Sequence, residues 1–456
     1  MQNRRLAMSY LVKIVTLGCP KNTVDSEQIL GQLFRHGHQP VDDPSKADVI
    51  VINTCGFIES AKRESIETIL ELAQQKIEGK CQYLIVTGCL VQKYADELKA
   101  ELPEVDLFLG TGDIHLLPQL LASLKPGVRI AQVGDPDNYL FDDEIPLVPG
   151  HIKHYAYVKI AEGCNNCCTY CVIPSMRGKY RSRSLESIVH EVSKLTENGV
   201  KEAILVAQDI TLYGYDKYGK YMLPALLQEL VKLKNLQWIR LLYCYPNRLT
   251  DELLLTIKEE HKICRYLDIP LQHISDPVLK AMGRPMGKQD TIDLLKKIRK
   301  LLPGVTLRST FIIGFPGESE EDFAQLLAFL EDMQFERAGF FTYSPEPGTK
   351  AAGLPLQIPE EVKERRLQQA LAVQEKILAA KQAQQVGMII PVIVDGPSPE
   401  YEGLWEGRTQ GDAPEIDGVV YIKPAPNLRQ GDIINIKITH SQDFALMGEV
   451  NDEPGQ

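Results

Sequence analysis

Ten cysteines are the side chains of this sequence best suited to metal chemistry. Four of them crowd into eight positions, Cys164, Cys167, Cys168 and Cys171, within GCNNCCTYCVIPSMRGKYRSR (163–183). Two registers are open. Paired as 164/167 and 168/171, they form two Cys-x-x-Cys units like those of a zinc site. Zinc knuckles, however, separate their pairs by a long loop so that four sulfurs surround one ion. Abutting pairs leave no chain for that. Read as Cys164-x3-Cys168-x2-Cys171, three thiolates can hold three corners of a cubane iron–sulfur cluster, which selects such soft ligands. Three protein ligands leave the fourth iron open, and an open metal position is where a small molecule binds and is activated. Cys167 is a bystander in this register, able to swap in as a ligand under oxidation.

Three more cysteines gain meaning from the elements that carry them. Residues 9 to about 125 alternate apolar β-branched runs with helical stretches: LVKIVTLG (11–18), ADVIVINT (47–54), YLIVTG (83–88) and VDLFLG (105–110) are the strands. Near-continuous apolar strands alternating with helices predict a parallel sheet covered on both faces. Cys19, Cys55 and Cys89 each follow a different strand directly, so a parallel sheet brings all three to its carboxyl edge, where open α/β folds place their sites. Buried, inert cysteines are the bland alternative. Three coincidences in three strands favour a second three-cysteine cluster. Cys81 precedes its strand and is read as a bystander.

Composition bounds the rest. The 456 residues suffice for roughly two to four domains. Hydrophobic content of 44% and charged content of 24% are those of a soluble globular protein. A net charge of −11 gives no sign of a nucleic-acid binder. Cysteine clusters without a secretion signal point to a reducing cytoplasm and to metal or catalytic use rather than disulfides. No apolar run reaches the ~18–20 residues of a membrane span.

Residues 131–150, rich in proline and acid and without periodicity, read as a linker. A second strand–helix series comes after it, with strands at 155–161, 202–208, 238–244, 266–272, 306–315 and 338–344. Six units fit an open, partial (β/α) barrel, and the cysteine loop comes after its first strand, at the end where such folds place catalysis. Gln208 and Asp209 lie at the tip of the second strand. Gly314 and Pro316 belong to a Gly-Phe-Pro-Gly turn that either lets backbone approach a ligand or is simply tight. Cys244 and Cys264 are isolated and read as core. Residues 359–385 predict a long amphipathic helix with a solvated charged face, EEVKERR.

From about Val386 short strands with glycine turns predict a small five-stranded barrel. Residues 384–456 carry twelve Asp and Glu against four Lys and Arg, a net of −8. A phosphate-binding surface should be basic. Asp412, Glu415 and Asp417 concentrate this charge and are candidates for contact with a basic partner, or else belong to a solvated surface.

The 164/168/171 register, with Tyr170 just before the last cysteine, resembles the radical S-adenosylmethionine (SAM) motif. With Cys19, Cys55, Cys89 and a terminal small barrel, the chain as a whole resembles the methylthiotransferases. The resemblance spans residues 9–450 and implies an N-terminal cluster domain (9–130), a linker (131–150), a radical SAM core (151–383) and a TRAM-like barrel (384–450). TLGCPKNTVDSE (16–27), INTCGFIESAKRESI (52–66), IPSMRGKYRSR (173–183), LDIPLQHISDPVLKAMGR (267–284) and GRTQGDAPEIDGVVYI (407–422) are similar to the RimO branch. That branch modifies an aspartate β-carbon in the twelfth protein of the small ribosomal subunit.

The resemblance implies two 4Fe-4S clusters, on Cys19/Cys55/Cys89 and on Cys164/Cys168/Cys171. It also implies SAM as radical source and methyl donor, with Tyr170, Gln208, Gly314 and Pro316 as candidates to bind it. A reducing partner such as flavodoxin or ferredoxin, a cytoplasmic location and no stable RNA binding are further expectations. Two alternatives stand beside this: a transfer-RNA methylthiotransferase acting on adenosine, and an iron–sulfur electron carrier or redox-sensing binding protein. Electron carriers usually saturate their irons with four cysteines, which counts against the last.

Overall fold

Six short apolar strands build the N-terminal sheet: β1 (Leu11–Thr16), β2 (Gln39–Pro40), β3 (Val49–Thr54), β4 (Tyr83–Gly88), β5 (Leu107–Leu109) and β6 (Ile130–Gln132). All pair in parallel, in the order β2-β1-β3-β4-β5-β6. β3 and β4 are buried along their whole length because helices α1 (Pro20–Arg35), α2 (Glu59–Ala73), α3 (Cys89–Glu101) and α4 (Leu117–Ser123) cover both faces. The computed structural model describes residues 9–451 apart from 140, 149, 152 and 443.

Two details depart from the sequence expectation. The sheet has strands β2 and β6 at its edges, too short to give a periodic signal. β6 takes up the first residues of the expected linker. The rest of that segment is a strap rather than a free tether. Asp142 pairs with Arg35 of α1 at 2.8 Å, Asp143 with Arg183 at 3.0 Å, and Asp137 with Arg181 at 2.6 Å. Its acids, read from sequence only as linker composition, hold the N-terminal sheet to the central domain.

The central sheet is again wholly parallel. It comprises β7 (Tyr155–Lys159), β10 (Glu202–Val206), β11 (Trp238–Leu241), β12 (Ile263–Asp268), β13 (Thr306–Ile313) and β14 (Arg337–Thr342), in the order β14-β13-β12-β11-β10-β7. β8 (Ala161–Glu162) and β9 (Arg181–Ser182) form a small antiparallel pair that closes the base of the cysteine loop. Between them stands the five-residue helix α5 (Ile173–Arg177). The six strands do not close on themselves, so the result is the open partial barrel that the repeat count requires. Cys244 and Cys264 are buried in it, as expected.

The long helix Glu360–Ala383 packs against β14 and the helix Glu320–Met333. Its charged face is not simply solvated. Lys363 and Arg366 are buried, and Arg366 pairs with the buried Glu318 at 2.7 Å. The last strands, β15 (Ile389–Pro397), β16 (Trp405–Thr409), β17 (Val420–Ile422), β18 (Ile433–Gln442) and β19 (Ala445–Val450), close as a five-stranded barrel. Ile393 and Ala413 of that barrel meet Val24 of α1 and Tyr157, Ile204 and Tyr266 of the core in one apolar cluster. The concave face of the open sheet is therefore covered from two sides. No helix among the described residues is long and apolar enough to cross a membrane.

Candidate functional site

The first three cysteines stand where parallel topology sends them. β1, β3 and β4 are neighbours, with Thr16 opposite Asn53 and Thr54 opposite Gly88, so the three chains leave the sheet at one edge. Cys19 caps α1, Cys55 comes directly after β3, and Cys89 opens α3. Two of the sulfurs thus lie at helix N-termini, which favour negative charge. Gly18 and Gly88 permit the close approach. A β-carbon on Gly18 would lie 2.7 Å from Cys55 Cβ, and one on Gly88 only 2.4 Å from the Thr54 carbonyl, and both residues have positive φ. Side chains then tie the three turns together. Asn22 donates to the Leu17 and Thr54 carbonyls, Asn53 to the Asn22 carbonyl, and Ser65 to the Cys55 carbonyl.

Electrostatics separates the three thiols. Burial pushes Cys55 up to about 12, with Cys89 and Cys19 adding to the shift. Cys89 is also raised by burial, even though Arg177 beside it acts the other way. Burial acts on Cys19 too, but Lys21, Arg177 and the backbone N–H groups of Asn22 and Lys21 hold it below the usual thiol range. Each thiol lies within electrostatic reach of the others, an assembly that favours a cationic group among them.

The second triad lies in the loop between β8 and α5. Gly163 begins it with φ +79, and a β-carbon there would overlap the Lys179 carbonyl at 2.0 Å. Backbone bonds anchor the loop: Cys164 N–H donates to the Gly178 carbonyl, Thr169 N–H to Met282, and Ala351 N–H to Thr169. Backbone N–H groups point at two sulfurs, Asn166 at Cys164 (3.4 Å) and Ile173 at Cys171 (3.5 Å). Cys168 instead meets Tyr245 Oη at 4.0 Å and Arg284 Nη1 at 3.8 Å. Burial pushes Cys164 up to about 11 and Cys171 to about 12. Cys167 is exposed, and among the described residues its sulfur meets only the Asn165 carbonyl of its own loop, at 3.8 Å.

Among the described residues, no three Cys, His, Asp or Glu side chains converge as ligands of a single ion would. In a cubane each thiolate takes its own iron, so its three ligands stand further apart. The donor sets, three thiols at each site with Cys167 of the second loop exposed, fit clusters with an open position. Gln208 adds an observation of its own. Its amide nitrogen donates to Glu162 at 2.6 Å, while its buried Oε1 has no partner among the described residues. An orphaned acceptor beside the cysteine loop is what a bound polar cofactor would satisfy. Tyr170 packs edge-on against Phe315, with centroids 6.4 Å apart. Asp209 is committed to Arg248 and Thr211.

Gly314 has its backbone N–H engaged by the protein itself. Its N–H donates to Glu318 at 2.8 Å, and a β-carbon on it would strike Lys363 Cγ at 2.4 Å. The Gly-Phe-Pro-Gly segment, with Pro316 buried in it, is a tight turn filled by the protein's own lysine. The barrel acids depart further from expectation. Asp412 is 2% exposed and pairs with Arg337, while the Asp417 side chain is 3% exposed and binds Tyr266 and Arg308. Both face inward because basic and hydroxyl groups of the core meet them there. Glu415 alone is largely exposed, and it too pairs with Lys153.

What sequence reasoning missed lies between the triads. Arg177 of α5 is buried, and its guanidinium donates to Cys89 Sγ at 3.2 Å, to Asn22 Oδ1 at 2.6 Å and to Asp25. Lys159 joins the same cluster through Asp25 and Glu162. The loop of one triad thereby carries the hydrogen-bond donor to a sulfur of the other. Lys21, two residues after Cys19, is buried with its ammonium 3.5 Å above the ring of Tyr243.

Comparisons with known proteins accord with this architecture. Residues 11–110 match the family described as uncharacterized protein family UPF0004, residues 158–330 the radical SAM superfamily, and residues 386–450 the TRAM domain. The chain is 47% identical over 440 residues to the ribosomal protein uS12 methylthiotransferase RimO of Desulfitobacterium hafniense, covering 96% of this chain and 98% of the relative. It is 48% identical over 442 residues to the protein of that name from Citrifermentans bemidjiense, covering 97% and 98%. Among solved structures, the radical SAM methyltransferase TsrM of Kitasatospora setae shares the fold. Its TM-score is 0.57 at 14% identity, over 82% of this chain and 90% of that one.

Proposed function

This chain belongs to the RimO family of ribosomal protein uS12 methylthiotransferases, radical SAM enzymes, and on that premise we propose that it adds a methylthio group to the β-carbon of an aspartate in uS12. We assign one 4Fe-4S cluster to Cys164, Cys168 and Cys171, which would hold it beside bound SAM, and a second to Cys19, Cys55 and Cys89. When bound, these groups supply a carbon-centred radical and a methylated sulfur; the one electron needed comes from a reducing partner such as flavodoxin or ferredoxin.

The chain's own share is positioning and exclusion of water. The strongest support for a reaction between two centres is Arg177, which joins the radical loop to Cys89 of the other triad. Gln208 and Tyr170 line the SAM side of the site. The inner face is roofed by α1 and the barrel, so these elements would keep bulk water from the site on that side.

Mass spectrometry of uS12 and of transfer RNA, from a strain lacking the gene and from the same strain carrying it, tests the assignment. The methylthio mass on the uS12 aspartate should vanish and return with the gene. Gain of the group on transfer RNA alone would overturn it.

A further inference from the structure

Four buried or half-buried cations surround the two triads besides Lys21, and each has hydrogen-bonding partners. Arg177 and Lys159 share Asp25 and Glu162, Arg248 binds Asp209 and Asn166, and Arg284 donates to the Pro270 carbonyl. Lys21 differs. It is 8% exposed, and among the described residues no carboxylate or carbonyl accepts a hydrogen bond from its ammonium. Its neighbour is the face of Tyr243, which comes from the opposite domain just beyond β11. That tyrosine is held at φ +64, a costly conformation for a side-chain-bearing residue. It is fixed by its N–H on Asp268 and by its carbonyl, which accepts from Ile210. An ammonium whose neighbour is an aromatic ring, with no carboxylate among the described residues paired to it, is open to a carboxylate ligand.

We propose that Lys21 binds the side-chain carboxylate of the substrate aspartate, with the Tyr243 ring as the wall that aims it. This rests on the reading of uS12 as substrate and deepens it. The carboxylate carbon is bonded directly to the β-carbon. A carboxylate fixed on Lys21 therefore fixes the reacting atom between the helix that starts at Cys19 and the core that carries the second triad. Asparagine, of the same shape, lacks the charge, so the site selects aspartate by what it would leave unpaired. The competing role is purely structural: Lys21 as counter-charge to whatever Cys19 binds.

The test is equilibrium binding of anaerobically reconstituted full-length enzyme to uS12 and to uS12 with the target aspartate changed to asparagine. Iron per chain is measured on every sample. The wild type should prefer aspartate by about ten- to hundredfold, the range of a charged hydrogen bond. Lys21→Met should erase the preference at unchanged iron content, and Lys21→Arg should retain most of it. A Lys21→Met enzyme that still prefers aspartate, or that loses the preference only together with about four irons, overturns the role given to Lys21. A wild type indifferent to the aspartate overturns it equally, whereas a wild type that does not bind uS12 at all overturns the substrate reading itself.

Discussion

Cys167 lies beside Cys168 in sequence yet is exposed, and among the described residues its sulfur meets only a carbonyl of its own loop. Cys167→Ala should therefore keep both the cluster and reductive cleavage of SAM, read as 5′-deoxyadenosine release; loss of both would show that the other register holds the metal. Arg177 presents the opposite case. Its side chain is buried, donates to Cys89, and compensates Asp25 and Glu162 together with Lys159. Removing one partner of such a cluster leaves buried charge unpaired, at a cost of about 3–5 kcal/mol. Arg177→Gln should lower thermal stability and reduce iron at the N-terminal site, while iron at Cys164, Cys168 and Cys171 persists. Full retention of iron by that variant would confine Arg177 to a structural tie.

At the scale of elements, the two triads hang on different strands and meet through Arg177. Cys19, Cys55 and Cys89 hang on β1, β3 and β4, and their turns are locked by Asn22, Asn53 and Ser65 of the same domain. None of those ties comes from the radical loop. Reconstituted wild type should bind about eight irons, and the Cys164→Ala/Cys168→Ala/Cys171→Ala protein about four. A wild type that saturates at four would defeat the two-cluster assignment. Gly88 is the sharpest point of the N-terminal support. Its φ of +102 and the Thr54 carbonyl 2.4 Å from any β-carbon leave no room for a side chain. Gly88→Ala should displace Cys89 and cost the iron of that site alone, checked by iron analysis against the triple-alanine protein.

Across the whole molecule, the barrel is bolted to the core by buried ion pairs. Arg408 reaches Glu202 of β10 at 2.7 Å and Asp395 at 2.9 Å, Arg240 binds Glu202 from the other side, and His154 bonds Asp395. Burial alone would raise Glu202 and Asp395. Arg408 and Arg240 outweigh it for the first, and His154 and Arg408 for the second, so both carboxyls lie below their usual range. A carboxyl lowered in the folded state stabilises above its unfolded pKa and loses that contribution as pH falls through the folded value. Docking should weaken on acidification below about pH 4, seen as a falling unfolding temperature and as proteolysis near residue 385. Glu202→Gln should loosen the barrel already at neutral pH. Asp412→Asn and Asp417→Asn should act the same way, since both acids serve this seam; unchanged stability in those two variants would return them to the role of partner contacts.

Much of this was legible in the chain. Parallel strands all leave a sheet in one direction, so three cysteines placed directly after three apolar runs had to share an edge, whatever the helices did. The x3/x2 spacing is local as well, and local spacing survives folding. The open six-stranded core and the five-stranded barrel came from periodicity and strand count. What sequence could not say is which distant groups meet. Arg177 and Cys89 are 88 residues apart, and Tyr266 and Asp417 are 151 apart. Composition counted the barrel's acids correctly and misjudged where two of them point, because a carboxylate's charge is written in the sequence but its partner is not. Lys21 gave no signal for the same reason. A lysine after a cysteine and a proline is ordinary until a tyrosine from another domain closes over it, and only the docking of the two sheets brings that ring there.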